Sequence, residues 1–482
     1  MNFKMTGRFL AQIIALEAVF LVPSLILSLY DGETTVAGAV GISMGIMAVI
    51  AGVLWLVCRR SAQQFSARDG MLCVSISWLT LSLLGCLPFW LSGQIPSFVD
   101  AFFEIVSGFT TTGASILTDV ESLSRGLLYW RSFSHWLGGM GVLVLATAIL
   151  PAMGIRSHYL TQAESPGPVF SKLVPKQSQT SKILYTIYCS LTLLEVLCLK
   201  LAGMPLYDSF IHAFGTAGTG GFSNRNASVG AYDSMTIDMI IAVFILLFSI
   251  NFAVHFLLLS RKWKEALSSD ELRFFLIVVA GATLLMCINL YPVYQDLSET
   301  FRYVFFHVCS IISTTGFATT DWLYWPLFSQ FILILLMFCG ACAGSTGGGM
   351  KCSRVLLLLR SVRRECHRIV HPRSVEVVKL DGKVVEESTI HSIAVFVGCY
   401  LLIILTAGLV ISLDNYSFEV SFASALTCVS NVGPALGIAG PAGNFSTFSS
   451  LSKLVMSLCM IVGRLEIIPV LVLFSPATWS KA

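Results

Sequence analysis

Four short threonine/glycine turns, each set between long apolar runs, restrict what this chain can fold into more than any other feature. The first is Ser107-Gly108-Phe109-Thr110-Thr111-Thr112-Gly113-Ala114-Ser115. Its counterparts are Thr219-Gly220-Gly221-Phe222, Thr314-Thr315-Gly316-Phe317 and Asn431-Val432-Gly433-Pro434. Their central glycines recur at intervals of roughly 95 to 117 residues, the mark of an internal repeat. Each turn follows an apolar run that opens near an acidic residue or a turn, at Asp100, Asp208, Glu299 and Ser417. These runs are about ten residues long, too short to cross a bilayer and suited to a re-entrant helix. One Thr-Thr-Gly would mean little. Four in register describe a pore ringed by backbone carbonyls.

A cation stripped of its water needs oxygen ligands at close range, and converging carbonyls supply them. Glycine permits the dihedrals that turn those carbonyls towards an axis. A half-helix ending at the turn adds its negative C-terminal dipole. Irregular backbone at membrane depth is tolerated only where it lines a cavity or is buried in protein. The expected filter is therefore Thr110, Thr111, Thr112 and Gly113 with Thr219, Gly220 and Gly221, then Thr314, Thr315 and Gly316, then Asn431, Val432 and Gly433.

Composition supports this and excludes a soluble protein. Of 482 residues, 55% are hydrophobic and only 12% charged, against about 25% charged in soluble domains. The cysteines sit mostly inside apolar runs and read as small apolar fillers. Cys339-Gly340-Ala341-Cys342 lacks a second pair or a nearby histidine, which argues against a metal or redox site.

The fold expected is an all-α integral membrane protein of about ten transmembrane helices. Two N-terminal helices occupy residues 1–66, and the first, near Phe9 to Tyr30, reads as a retained span rather than a signal peptide. Four pseudo-symmetric repeats of helix, pore loop and helix follow at 67–155, 156–262, 263–360 and 388–482. A cytoplasmic basic segment, 361–387, precedes the last repeat. With both termini cytoplasmic, Lys and Arg concentrate on the inner side, as the positive-inside rule requires. Acidic residues such as Asp100, Asp119, Asp208 and Asp321 gather on the outer side, where they either concentrate cations or serve as ordinary solvated loops. The polar loop 151–182 carries prolines that oppose regular structure. Asp381-Gly382, between β-branched runs, predicts a hairpin that could dock a partner, cap the protein or meet anionic headgroups.

The second span of the third repeat departs from this pattern. It carries glycine at 340, 344, 347, 348 and 349 within Cys339–Lys351, a density that argues for a break in the helix. A loop of Gly340, Gly344, Ser345, Thr346, Gly347, Gly348, Gly349 and Lys351 below the filter would act as a gate; close helix packing is the plainer reading. A phosphate-binding loop is excluded, because Met350 separates the last glycine from Lys351 and no strand precedes it. Arg464 falls in the last span beside Glu466, where an ionisable group is costly unless it has a pore or partner role. Its guanidinium is expected to hold loop carbonyls and to slow cations, unless it merely pairs with Glu466. His135, His212, His255 and His307 share no register and read as packing or helix-ending residues rather than a proton relay. A membrane-embedded enzyme built on His367 and His371 would lack a paired nucleophile and base, so no enzyme is expected.

Together, Thr110-Thr111-Thr112-Gly113-Ala114, Gly220-Gly221-Phe222-Ser223, the segment Ala343–Lys351 and Gly463-Arg464-Leu465-Glu466 resemble the Trk/Ktr/HKT superfamily of potassium-uptake proteins. The two extra N-terminal spans and His371-Pro372 make the chain most similar to the superfamily's bacterial TrkH-type branch. The resemblance covers essentially the whole chain. It implies a homodimer in the bacterial inner membrane, each protomer with its own pore, and no nucleic-acid partner. It further implies gating by a cytosolic TrkA-type ring that binds ATP, ADP or NAD, so the nucleotide sits on a partner and this chain holds no covalent cofactor. The family's filter glycines fall on Gly113, Gly221, Gly316 and Gly433, its gating loop on Gly340–Lys351 and its pore arginine on Arg464. Sodium-favouring plant relatives often carry serine at the first filter position, so Gly113 implies potassium. The rival expectation is coupled symport of potassium with protons or sodium, for which the spans offer no clear acidic pair.

Overall fold

The computed structural model describes residues 3–59, 67–141, 177–467 and 469–471. Most of the expected 151–182 loop and the end of the last span, to Phe474, lie outside them. Within the described residues the chain is almost wholly helical. Six helices or helix pairs are long and apolar enough to cross a bilayer: Phe3–Tyr30, Thr34–Cys58, Asp69–Leu91, Ser181–Leu201, Asp270–Tyr294 and Glu387–Asp414. Met235–Ser249 with Phe252–Leu259 makes a seventh if that pair, bent by 97°, counts as one span. This is a multi-pass membrane protein.

Each repeat has an outer helix, a pore helix and an inner helix. The pore helices are Phe98–Phe109, Leu206–Gly218, Leu297–Ile312 and Phe418–Ser430. Their N-termini are set by side-chain caps at Ser97, Asp296 and Ser417, each accepting from a backbone N–H of the first turn. Only the second lacks such a cap, opening instead after Pro205. Every pore helix packs against the inner helix of the preceding repeat, the first against the fourth, so the four repeats close into a ring.

The inner helices overturn one expectation. Instead of continuous spans, with a break in the third repeat alone, all four stop early: Arg125–Gly139, Met235–Ser249, Leu327–Cys339 and Ser450–Arg464. Fifteen residues rise about 22 Å, short of the roughly 30 Å hydrocarbon core. In the second repeat the chain turns at Ile250-Asn251, where Asn251 caps the next helix by accepting from Ala253 N–H at 2.8 Å.

The two N-terminal helical spans pack on the first repeat, and Pro23 and Pro88 interrupt the first span and the first outer helix. The principal hydrophobic core runs from Phe9 and Trp78 through Phe103 and Trp130 to Ile404 and Met460. A stack of Tyr129, Phe133 and Trp136, with ring centroids 5.2 and 5.4 Å apart, meets Phe214 across the boundary between repeats 1 and 2. Lys379–Leu380 pairs antiparallel with Lys383–Val384 around a turn in which Asp381 and Gly382 both have positive φ. Val378 and Leu380 bury against Leu357 and Ile393, and Asp381 exchanges hydrogen bonds with Asp270. The hairpin therefore caps its own helices.

Candidate functional site

All four pore helices end in the same way. One residue just past each helix is left-handed (Thr111, Thr219, Thr314 and Asn431, φ 53–63°), and so is the glycine two positions on (Gly113, Gly221, Gly316 and Gly433, φ 78–103°). The residue between them closes the helix: Thr112, Gly220, Thr315 and Val432 each donate their N–H to the carbonyl five residues back, at 2.8–3.0 Å. This is the Schellman arrangement, with threonine or asparagine where glycine is usual. It delivers each helix dipole's negative end to the turn.

The four turns meet. The open α-face of Gly113 lies against the carbonyl of Gly220, that of Gly221 against Thr315 O, that of Gly316 against Val432 O and that of Gly433 against Thr112 O. Each loop thus touches the next around a closed circle, and glycine is required because a Cβ would strike the neighbouring backbone. Of the residues expected from the sequence, Thr112, Gly113, Gly220, Gly221, Thr315, Gly316, Val432 and Gly433 make these loop-to-loop contacts. Side chains anchor the ring outward: Asn431 Nδ2 donates to Thr112 Oγ1 and to Met460 O, both at 2.9 Å, and Ser313 Oγ lies 2.7 Å from Thr315 Oγ1. Among the described residues, the backbone oxygens of Thr111–Gly113, Thr314–Gly316 and Asn431–Gly433 accept from no protein N–H. Oxygens so left over are what a dehydrated cation needs. On one side of the ring the four glycines floor a vestibule of about 150 Å³.

On the other side lies the glycine-rich segment between Cys339 and Cys352. Gly348 N–H donates to Thr314 Oγ1 at 2.6 Å, and Gly347 packs on Ser313 O, directly behind the third filter turn. The segment is held by its neighbours' broken ends. Cys342 and Thr346 donate to the last carbonyls of the second inner helix, Ser249 O and Phe248 O, and Phe252 N–H returns a bond to Gly344 O. Glu271, buried at the start of an outer helix, accepts from Ala343 N–H at 2.6 Å and Ser353 N–H at 3.0 Å. Lys351 is buried and donates to Gly347 O. Gly340, Gly344 and Gly349 all have positive φ, the conformations that let the chain fold back on itself here.

Arg464 ends the fourth inner helix. Its guanidinium donates to Thr346 O at 2.8 Å and to the C-terminal carbonyls of the first inner helix, Gly138 O at 2.5 Å and Gly139 O at 2.6 Å. Glu466, the alternative partner, pairs instead with Arg354. The outer acidic residues are mostly engaged: Asp100 with Lys453 at 2.6 Å, Asp208 with Arg225 at 3.0 Å, and Asp296 and Asp321 as helix caps.

Several residues had drawn no attention in the sequence. Glu271 and Asn251 hold the loop, and the polar Asn251 inside an apolar run was a usable signal. Against expectation, two of the four histidines share a register. His212 and His307 both lie nine residues before a filter glycine, and both bond through Nδ1 to the carbonyl four residues back, at 2.8 Å. His135 occupies a different place, its ring stacked 4.1 Å from Phe222 and Nδ1 2.7 Å from Gly108 O. Cys339 approaches Cys352 (Sγ–Sγ 3.6 Å).

Comparison with known proteins places this geometry in context. The family model described as TrkH, cation transport protein, matches residues 39–481. The Trk system potassium uptake protein TrkH of Escherichia coli K12 is 37% identical over 492 residues, covering 100% of both chains. TrkG of the same strain is 36% identical, covering 96% of each. The crystal structure of the potassium transporter TrkH from Vibrio parahaemolyticus superposes with a TM-score of 0.88 at 32% identity over 100% of both chains.

Proposed function

Because this chain belongs to the TrkH family of cation transport proteins, we propose that it takes up potassium through a channel-like pore whose filter is the four-loop ring. The observation that carries this reading is the ring of glycines and left-over carbonyls, each loop seated on the next. A potassium ion entering from the vestibule exchanges its hydration shell for backbone oxygens, while four helix C-termini add negative potential at the same point. The glycine-rich loop, docked behind Thr314 and tied by Arg464, obstructs the exit. Flux then requires the loop to leave its bonds with Thr314 and Phe248. Arg464 retains the loop through Thr346 and presents a positive charge that slows the passing cation.

The same reading sets the protein in the bacterial inner membrane with cytoplasmic termini, as a homodimer gated by a cytosolic TrkA-type ring that binds the nucleotide. What supports it is the relatives' designation as parts of a Trk system.

The test is uptake of radiolabelled Rb⁺ into proteoliposomes holding this chain, alone and with a TrkA-type partner and ATP, with Gly113→Asp as control. Uptake should follow the membrane potential, need no proton or sodium gradient and vanish in the control. A strict requirement for either gradient would replace the channel with coupled symport. Silence under both conditions would remove potassium uptake altogether.

A further inference from the structure

We propose that Glu104 and Arg131 are positioning residues that set the ion selectivity of this filter, a proposal that rests on the filter reading above. Nine residues before the four filter glycines stand Glu104, His212, His307 and Ser424. The first three reach from their pore helix to the segment leaving their own loop. Glu104 accepts from Ser115 Oγ–H and Ile116 N–H, both at 2.9 Å. His212 Nε2 lies 2.9 Å from Ser223 Oγ, and His307 Nε2 lies 3.2 Å from Thr320 O.

Position 104 is the only one of the four that carries a carboxylate, and it is paired. Arg131 Nε donates to Glu104 Oε1 at 2.6 Å, with both side chains almost fully buried. From the first inner helix, Arg131 Nη1 also donates to Ser223 O at 3.0 Å, and its guanidinium sits 3.5 Å from the centroid of the Phe222 ring. One ion pair therefore holds residues 115–116, just past Gly113, and residues 222–223, just past Gly221. It joins the segments that leave the loops of two different repeats, and Arg131 itself lines the vestibule. Among the described residues the hydrogen bonds of the two histidines stay within their own repeats, and His212 reaches the third repeat through ring stacking on Phe317 alone.

A buried ion pair adds little stability over well-packed apolar side chains. What it does supply is short, directional, charge-assisted bonds. Those bonds fix the spacing of loops 1 and 2, and spacing and oxygen field are what discriminate between cations of different size.

The test uses the full chain in proteoliposomes and reads the ratio of Rb⁺ to Na⁺ uptake. Glu104→Gln should lower that ratio about tenfold, the effect of losing a charge-assisted bond. Glu104→Asp, which keeps the charge, should recover part of it. Ser115→Ala removes one bond to Glu104 while leaving the ion pair, and should lower the ratio about threefold. An unchanged ratio in Glu104→Gln and Ser115→Ala overturns the proposal, even if total uptake falls, because a merely structural pair would cut flux without altering preference. If Glu104→Gln fails to reach the membrane, Ser115→Ala decides alone. Wild type that carries no Rb⁺ either alone or with a TrkA-type partner and ATP would sink the filter reading itself, whereas wild-type uptake with unmoved ratios sinks only this proposal.

Discussion

Thr111, Thr219 and Thr314 are β-branched residues held in left-handed backbone, a conformation that costs on the order of 1–3 kcal/mol each. They persist because the following residue completes the helix closure and the glycine beyond seats the next loop. The glycines divide sharply on this ground. At Gly113 a Cβ would meet the Gly220 carbonyl and the backbone is left-handed, whereas Gly41 is helical and faces open space. Gly113→Ala should therefore cut Rb⁺ uptake about tenfold or more. Gly41→Ala should leave uptake unchanged and raise stability by roughly 0.5–1 kcal/mol. Equal uptake by the two variants would remove the argument that loop contact, rather than glycine content, shapes the ring.

Among the elements, the inner helices matter most. A helix that ends inside the membrane leaves up to four carbonyls without partners. Here the carbonyls of the first are taken by Arg464 and those of the second by the glycine-rich loop, so one set of broken ends satisfies another. Glu271 does the same for two of the loop's flanking N–H groups. Glu271→Ala should strand Ala343 and Ser353 N–H and lower stability by about 2 kcal/mol or more. It should also raise Rb⁺ leak in the absence of a partner, because the loop is less firmly held. Thermal unfolding and uptake measure the two effects, and a wild-type melting curve would show that water replaces the carboxylate. Glycine density pointed to the third break in the sequence. The other three carry only single signs, Gly138-Gly139 in the first, Asn251 in the second and Arg464 with Glu466 in the fourth, and apolar periodicity does not register a change of direction.

At the scale of the whole molecule, ties on the vestibule side of the ring bind neighbouring repeats. Asp100 pairs with Lys453 between repeats 1 and 4, Arg302 with Asp238 between 3 and 2, and Tyr207 hydroxyl donates to Arg125 O between 2 and 1. Asp208 anchors this collar from the outer turn of the second pore helix, outside the membrane-spanning helices. Burial disfavours its charge, but hydrogen bonds from Tyr232, Asn224 and Arg225 outweigh that and hold its carboxyl below the ordinary 3.8. A depressed carboxylate contributes stability that is whole above its ordinary value and is lost as pH falls through the depressed one. Melting temperature should thus gain nothing from this group between neutral pH and 3.8, then fall below it. Asp208→Asn should be less stable at neutral pH and show a smaller acid-side drop; an identical drop would assign the acid sensitivity elsewhere.

The sequence by itself determined the membrane class, the short helices that follow the outer spans and the threonine/glycine turns that end them. Each of those is written locally, in apolar length, helix caps, and threonine and glycine at fixed distances. It also placed the Asp381-Gly382 hairpin, where a two-residue turn sets the register. Only the tertiary structure decided that the four turns close on one another, because three of the glycines meet a carbonyl in the next repeat and Gly433 meets Thr112 O at the far end of the chain. The same holds for the carboxylate and guanidinium partners: Glu104 with Arg131, Glu271 with the loop, and Arg464 with Thr346 and Gly138. A buried charge announces in the sequence that it needs partners, but which backbone groups serve is settled only when separate repeats pack together.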